Sequence, residues 1–344
     1  MACGGPPFFS VIIVNWNGRH LLEECLDSIP GRGNGEIEVI VVDNGSTDGS
    51  ADFLRSRYGP KIRLIELPSN EGWSGGNNRG ISSAMGEYVL LLNNDTRLEN
   101  GFFPRLREGI SRHPESGMFA VKILDDKDRN VIDNTGHVIF WDGSSRGRGR
   151  MKKDGPEYGK EEEVLCPSGA AGVYKREIFE RVGLIDEDYF TYGEDTELGL
   201  RARKAGYVCH YIPSAVLYHK YSASGGAYTP RKVYYVERNR IWTVIKLFPW
   251  YLIALSPILT ASRYVLGLYG LVSGKGAAGR LRENHSAREA VGSLVQAYSD
   301  ALKMIGAMWR KRRSLRRVSR MGDLEFVRML SRFSAGISEV SYDE

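Results

Sequence analysis

Cysteine is scarce in this chain and never paired at a binding spacing. Cys3, Cys25, Cys166 and Cys209 lie scattered through 344 residues. That excludes a disulfide scaffold and a thiol metal centre, and leaves free thiols in a reducing compartment. There is no GxxxxGK[ST] run and no GxGxxG after the first strand-like segment, so P-loop and dinucleotide chemistry have no support. No internal repeat is visible. Residues 1–7 lack a basic stretch and 8–14 are short and β-rich, so no secretory signal is recognised and a cytoplasmic protein is expected. Acid is missing from one stretch. Between Lys303 and Arg320 the chain carries eight Lys and Arg and no Asp or Glu, within a net charge of only +5. Such a block seeks an anionic partner.

Apolar content is ordinary for a chain that buries a real core. β-rich runs at 8–14, 37–42, 62–66, 88–92 and 118–123 alternate with helical patterns near 19–29, from 48, at 74–85 and at 101–111. This alternation predicts βαβ units and a doubly wound, mainly parallel α/β sheet. Residues 125–163 break into Gly, Arg, Lys and Asp and read as a hairpin or mobile loop region. Regular structure resumes at 170–182 and in a helix over 194–205. Residues 247–272 are dense in Leu, Ile, Tyr and Trp, with Arg263 their only charge and Pro249 and Pro257 interrupting them. Trp250, Tyr251 and Tyr264 favour an interfacial or re-entrant segment, with a spanning helix or a buried contact as alternatives.

In an open α/β sheet, ligands gather beyond the carboxyl ends of the strands. Four polar runs occupy such positions. The first strand ends in Asn15-Trp16-Asn17-Gly18. The second ends in Asp43, a carboxylate suited to a base N–H or a ribose hydroxyl, with turn residues behind it. The third is followed by Gly72, Gly75, Gly76, Asn77 and Arg79 at a helix start, which suits a diphosphate with Arg79 as counter-charge. The fourth ends in Asn93-Asn94-Asp95, oxygen ligands for a hard divalent cation. Much later, Gly193-Glu194-Asp195 opens a helix. Glu194 and Glu197 suit the helix dipole, and Asp195 is a candidate proton acceptor.

These runs, in the order VIIVNWNG, VVDNGSTDGS, NEGWSGGNNRG, LLNNDT, SGAAGVYKREIFERVGLIDEDYFTYGEDTELGLRARKAGY and YVERNRIW, resemble the family 2 inverting glycosyltransferases of the GT-A fold. They are most similar to the rhamnosyltransferase-like enzymes of bacterial surface polysaccharides. The resemblance covers residues 8–242, leaving 243–344 as a helical, membrane-associating region. It implies a nucleotide-diphosphate sugar donor, rhamnose by subgroup, and a glycan or lipid-linked glycan acceptor. It places the nucleotide on Asn15, Asn17, Asp43, Gly75, Asn77, Arg79 and Asn94. A divalent cation, Mn²⁺ or Mg²⁺, falls to Asp95 and a late histidine, His219. The base is Asp195, and Glu194, Gly169 and Arg238 are candidate donor or acceptor contacts. The family's DxD is here Asn93-Asn94-Asp95, with the first acid gone. Beside the aromatic segment, the basic block is expected to meet an anionic membrane at the inner face of the cell membrane rather than nucleic acid. Sugar-1-phosphate nucleotidyl transfer, polyprenyl-phosphate sugar transfer and a non-catalytic membrane-docked scaffold are the competing readings.

Overall fold

The structure is a computed structural model and describes residues 5–32, 35–220, 229–273 and 286–342; Cys3 lies outside them. Strands β1 (Phe9–Asn15), β2 (Ile37–Asp43), β3 (Arg63–Glu66) and β4 (Tyr88–Asn93) run parallel in the order β3-β2-β1-β4. Helices α1 (Arg19–Asp27), α2 (Ser50–Tyr58) and α3 (Gly72–Ser83) connect them. The inner strands are buried on both faces, which explains their continuous apolar runs. Helix α3 presses against β1. A Cβ added to Gly80 would stand 2.4 Å from Ile12 Cγ2, and one on Gly76 would stand 2.7 Å from Val14 Cγ1. Those two glycines let helix touch sheet.

The expected parallel order holds for this half, and the other half is mixed. Next in the chain come β5 (Thr96–Leu98), α4 (Phe102–Arg112) and β6 (Ser116–Asp125). The excursion after β6 is not a bare loop. It holds β7 (Ile132–Asn134), a hairpin of β8 (His137–Ile139) and β9 (Ser145–Gly147), and β10 (Glu162–Val164). It re-enters the sheet at the edge it left, so β11 (Ala171–Lys175) must run back, antiparallel to both β4 and β6. After α5 (Glu177–Val182) and α6 (Glu194–Lys204), β12 (Val208–His219) runs parallel to β6 and ends at the same edge.

Among the described residues, six helices follow: α7 (Pro230–Leu247), α8 (Trp250–Ser273), α9 (Ala287–Lys303), α10 (Ile305–Arg316), α11 (Asp323–Arg332) and α12 (Ile337–Tyr342). The expected boundary at 242/243 falls inside α7. Val244, Leu247, Phe248, Phe326 and Leu330 share one apolar core with Leu165, Cys166 and Leu200 of the sheet domain. Among the described residues no helix is long and apolar enough to cross a membrane. The spanning alternative for 247–272 is therefore not met.

Helix α8 is turned inside out. Ser256 and Thr260 are buried, and Arg263 reaches inward to the Asp142 and Glu237 carboxylates at 2.9 and 2.6 Å. Trp250, Leu255, Ile258 and Val265 face outward, with Ile258 67% exposed. The basic block is also not one solvated strip. Lys311 pairs with Asp188 at 2.7 Å, and Arg312 is buried. Arg310, Arg313, Arg316, Arg317 and Arg320 remain exposed.

Candidate active site

Three strand tips meet through carboxamides. Asn15, fully buried, donates to Asp43 Oδ1 at 3.3 Å and accepts from Asn94 Nδ2 at 2.8 Å. Asn17 adopts a left-handed backbone at φ 50 and accepts from the Thr47 N–H at 2.7 Å, fastening the first loop to the second. The expected nucleotide residues Asn15, Asn17, Asp43 and Asn94 thus form one connected group. The diphosphate candidates divide differently. Asn77 donates to its own helix at Trp73 O, 2.8 Å away, and Gly75 sits over Glu71. Arg79 is paired with Glu71 at 2.9 Å, so its charge is already matched. Asn93 accepts from the Trp73 indole at 3.0 Å.

Asp95 and His219 are brought together, although 124 positions separate them. Both are buried, and His219 Nε2 stands 3.2 Å from Asp95 Oδ1. The other ring nitrogen, Nδ1, lies 2.6 Å from Asp133 Oδ2, and Asp133 is held in turn by Arg150. Burial opposes charge on the ring, but the Asp133 and then the Asp95 carboxylates outweigh it and raise the imidazole pKa to about 10. Burial likewise opposes ionisation of Asp133, yet His219 and Arg150 hold its pKa below the ordinary range. An oxygen and a nitrogen donor converge here, with a carboxylate bracing the imidazole from behind. That donor set fits a divalent cation completed by oxygens of a ligand. A second ligand-type group, His113, Glu115 and His210, sits at the opposite end of β6 and β12. At the rise of an extended strand it is roughly 25–30 Å from His219 and takes no part in this centre.

Asp195 stands at the N-terminus of α6. Its Oδ2 accepts from Gly169 N–H at 2.8 Å, and its Oδ1 accepts from Thr196 N–H at 2.7 Å. A Cβ on Gly169 would come within 3.1 Å of Oδ2. Gly169 leads into β11, where Ala170 O accepts from Asn93 N–H at 2.9 Å. The antiparallel strand therefore carries the candidate base to the tip of β4, beside Asn94 and Asp95. His137, missed in the sequence, completes the surroundings. Its Nε2 lies 3.5 Å from Asp195 Oδ2, and its Nδ1 lies 3.0 Å from Thr196 Oγ1. Glu194 differs sharply from its neighbour. Burial, and then the charge of Asp195, pushes it well above the carboxylate range. Its surroundings thus favour the protonated form of Glu194 more than those of an ordinary carboxylate do.

Arg238 is buried and bonded to its own chain. Its guanidinium donates to Asp188 O and Tyr189 O, each at 2.9 Å, and Asn239 donates to Tyr189, Thr191 and Tyr192 carbonyls. They hold the loop before α6, where Phe190 and Tyr192 keep left-handed backbones at φ 64 and 67. Such conformations persist only where the surroundings over-determine them. Phe190 O also accepts from Ser74 N–H of α3 at 3.1 Å.

The sequence profile described as "Glycosyl transferase family 2" matches residues 10–183. The chain is 30% identical over 241 residues to the N-acetylglucosaminyl-diphospho-decaprenol L-rhamnosyltransferase of Mycobacterium tuberculosis, covering 62% of this chain and 77% of that one. Two solved structures share the fold. The mannosyltransferase PcManGT of Pyrobaculum calidifontis, in complex with GDP-Man and Mn²⁺, superposes at a TM-score of 0.53 and 19% identity over 91% of this chain and 86% of its own. GalNAc-T7 with UDP, GalNAc and Mn²⁺ superposes at 0.58 and 16% identity over 74% of this chain, which spans about half (51%) of that one.

Proposed function

Because the chain belongs to glycosyl transferase family 2, we propose that it moves a sugar from a nucleotide-diphosphate donor to a hydroxyl of a glycan acceptor. The anomeric carbon inverts. The observation that carries this reading is the position of Asp195, held by the Gly169 N–H on the same sheet edge as Asp95 and His219. Asn15, Asp43 and Asn94 are the residues for the nucleoside. Asp95 and His219 would hold a divalent cation, Mn²⁺ or Mg²⁺, which when bound offsets the charge that develops on a diphosphate leaving group. Asp195 takes the proton of the acceptor hydroxyl as that oxygen attacks the face opposite the diphosphate. Both its oxygens accept main-chain N–H bonds, which fix the orientation of the carboxylate. Arg238 and Asn239 position the loop that delivers the base.

The likeness to the mycobacterial rhamnosyltransferase supports a rhamnose donor, a diphospho-polyprenyl-linked acceptor and a place in surface-polysaccharide synthesis. The inverted face of α8 supports a peripheral seat on the inner face of the cell membrane. Trp250, Ile258 and Val265 lie outward with exposed arginines of α10 and its tail available for anionic headgroups. Binding to anionic vesicles is expected to weaken with salt and to fall further in Ile258→Asp; absence of vesicle binding overturns the membrane seat.

The test of the reaction is a panel of nucleotide sugars with and without Mn²⁺. One donor should raise the melting temperature only with the cation, and Asp195→Asn should keep that shift while losing turnover. Normal turnover in Asp195→Asn removes the base. Pyrophosphate release from a nucleoside triphosphate makes the protein a nucleotidyltransferase instead.

A further inference from the structure

At the far end of α6 from Asp195, the C-termini of α6, α7 and α10 converge on a cavity of about 230 Å³. Arg201, Lys204, Lys246, Arg312 and Arg316 line it, with Asp323 as its acid. Two of the five cations are neutralised. Arg201 pairs with Glu197 at 2.9 Å, and Lys246 pairs with Asp186 and Glu197, each at 2.6 Å. Lys204, Arg312 and Arg316 face a single carboxylate, Asp323.

Lys204 Nζ rests 4.1 Å over the Phe326 ring, and burial lowers its pKa to about 8. Arg312 is 6% exposed. One of its terminal nitrogens reaches Ile245 O at 2.8 Å, while its buried Nε has no hydrogen-bond partner among the described residues. Helix C-termini contribute roughly half a negative charge each and favour cations in their last turns. They do not settle this account, because α11 also begins here, with Asp323 of its first turn in the cavity wall. That end is capped by Gly322, without a side-chain bond to its free N–H groups. Buried cations left without anions are costly, and free N–H groups at a helix start accept an anion readily.

We propose that this cavity is a binding site for a phosphoryl dianion, held by Lys204, Arg312, Arg316 and the first turn of α11. The source of that group is either free phosphate or the phosphomonoester headgroup of a lipid. Both present the same charge and the same acceptor oxygens. The site is separate from the donor centre: Lys204 closes the helix that Asp195 opens, about 14 Å away along its axis.

The test uses the full chain without divalent cation, so that the donor centre does not contribute. Inorganic phosphate is titrated against chloride of equal ionic strength, with melting temperature and calorimetry as readouts. The wild type should show a saturable phosphate response. Lys204→Met keeps the packing on Phe326, removes the charge, and should weaken phosphate about tenfold, the worth of a charge-assisted bond. Arg316→Gln changes an exposed side chain and should weaken it as well. Both variants should retain the cation-dependent response to nucleotide. An equal phosphate response in wild type and both variants, or none at all, overturns the proposal. Phosphatidylcholine vesicles doped with phosphatidic acid or with phosphatidylserine then separate the sources. A preference for phosphatidic acid that Lys204→Met abolishes identifies a lipid headgroup, and a phosphate response without that preference identifies free phosphate.

Discussion

Asp133 grips one edge of the His219 ring at 2.6 Å and thereby turns the other edge toward Asp95, 3.2 Å away. A carboxylate behind a ligating imidazole fixes its tautomer and orientation, and its loss commonly lowers metal affinity 10–100-fold. Asp133→Asn should therefore raise the Mn²⁺ concentration for half-maximal transfer by about that factor. The maximal rate should be largely restored at saturating Mn²⁺. A manganese titration followed by electron paramagnetic resonance checks this without turnover.

Glu194 and Asp195 should respond oppositely to amide substitution. The surroundings of Glu194 favour its protonated form, so Glu194→Gln should hold turnover within about threefold, less than the 1.4 kcal/mol that a tenfold loss represents. Its stability effect has a definite sign. The folded protein keeps a proton on Glu194 that the unfolded chain releases above its ordinary carboxylate pKa, so the native residue loses stability as pH rises from there. Glu194→Gln should unfold at higher urea than wild type near pH 8, with the gap closing toward pH 5.

Arg238 acts on the reaction only through the loop that leads into α6. Arg238→Met strips the guanidinium from the carbonyls of Asp188 and Tyr189 and should cost about 1–3 kcal/mol, since the Asp188 carbonyl loses its donor while Tyr189 keeps the Asn239 amide. Arg238→Lys should recover little, because a single ammonium cannot reach both carbonyls and Tyr234 together. In urea unfolding and steady-state kinetics, kcat should fall with stability while donor KM changes less.

Acid should loosen the junction between the sheet domain and α10. Burial opposes ionisation of Asp186, but Lys246 and then Lys311 lower its pKa to about 2. A depressed carboxylate stabilises above its ordinary pKa near 3.8 and loses that contribution as pH falls toward 2. The shift is worth about 2 kcal/mol. Asp186→Asn should lose that amount at pH 6, and its difference from wild type should shrink as pH falls below 3.8 and vanish only below about pH 2. Guanidinium midpoints across this range provide the measurement.

The strand tips were legible because inner strands of a helix-covered sheet are apolar throughout and stop at polar residues. Asn15, Asp43 and Asp95 all stand out that way, and Asp195 stands out as an acid at a helix start. Strand β12 was hidden by Pro213, a residue that interior strands exclude and that here sits in an irregularity of register between Ile212 and Val216. Asp133 and His137 lay in a stretch of Gly, Arg and Asp with no period. The short apolar piece 138–141 was the one signal beside His137, and its bond to Thr196 spans 59 positions. The glycines of α3 carry a second constraint that the sequence did not separate from the first. They read as a phosphate loop, yet Gly76 and Gly80 are required where the helix meets β1. The apolar character of α8 was plain, but not which face turned outward, because Arg263 is drawn inward by Asp142, 121 positions earlier.

The antiparallel insertion of β11 has a consequence for how such a protein changes over time. The spacing between Asp195 and Asp95 is transmitted by peptide groups, from Gly169 N–H through Ala170 O to Asn93 N–H. No side chain in that relay records which sugar or which acceptor is present. Rim residues can therefore drift and exchange one substrate for another while the reacting distance is inherited unchanged. Only a break in the sheet itself would alter it.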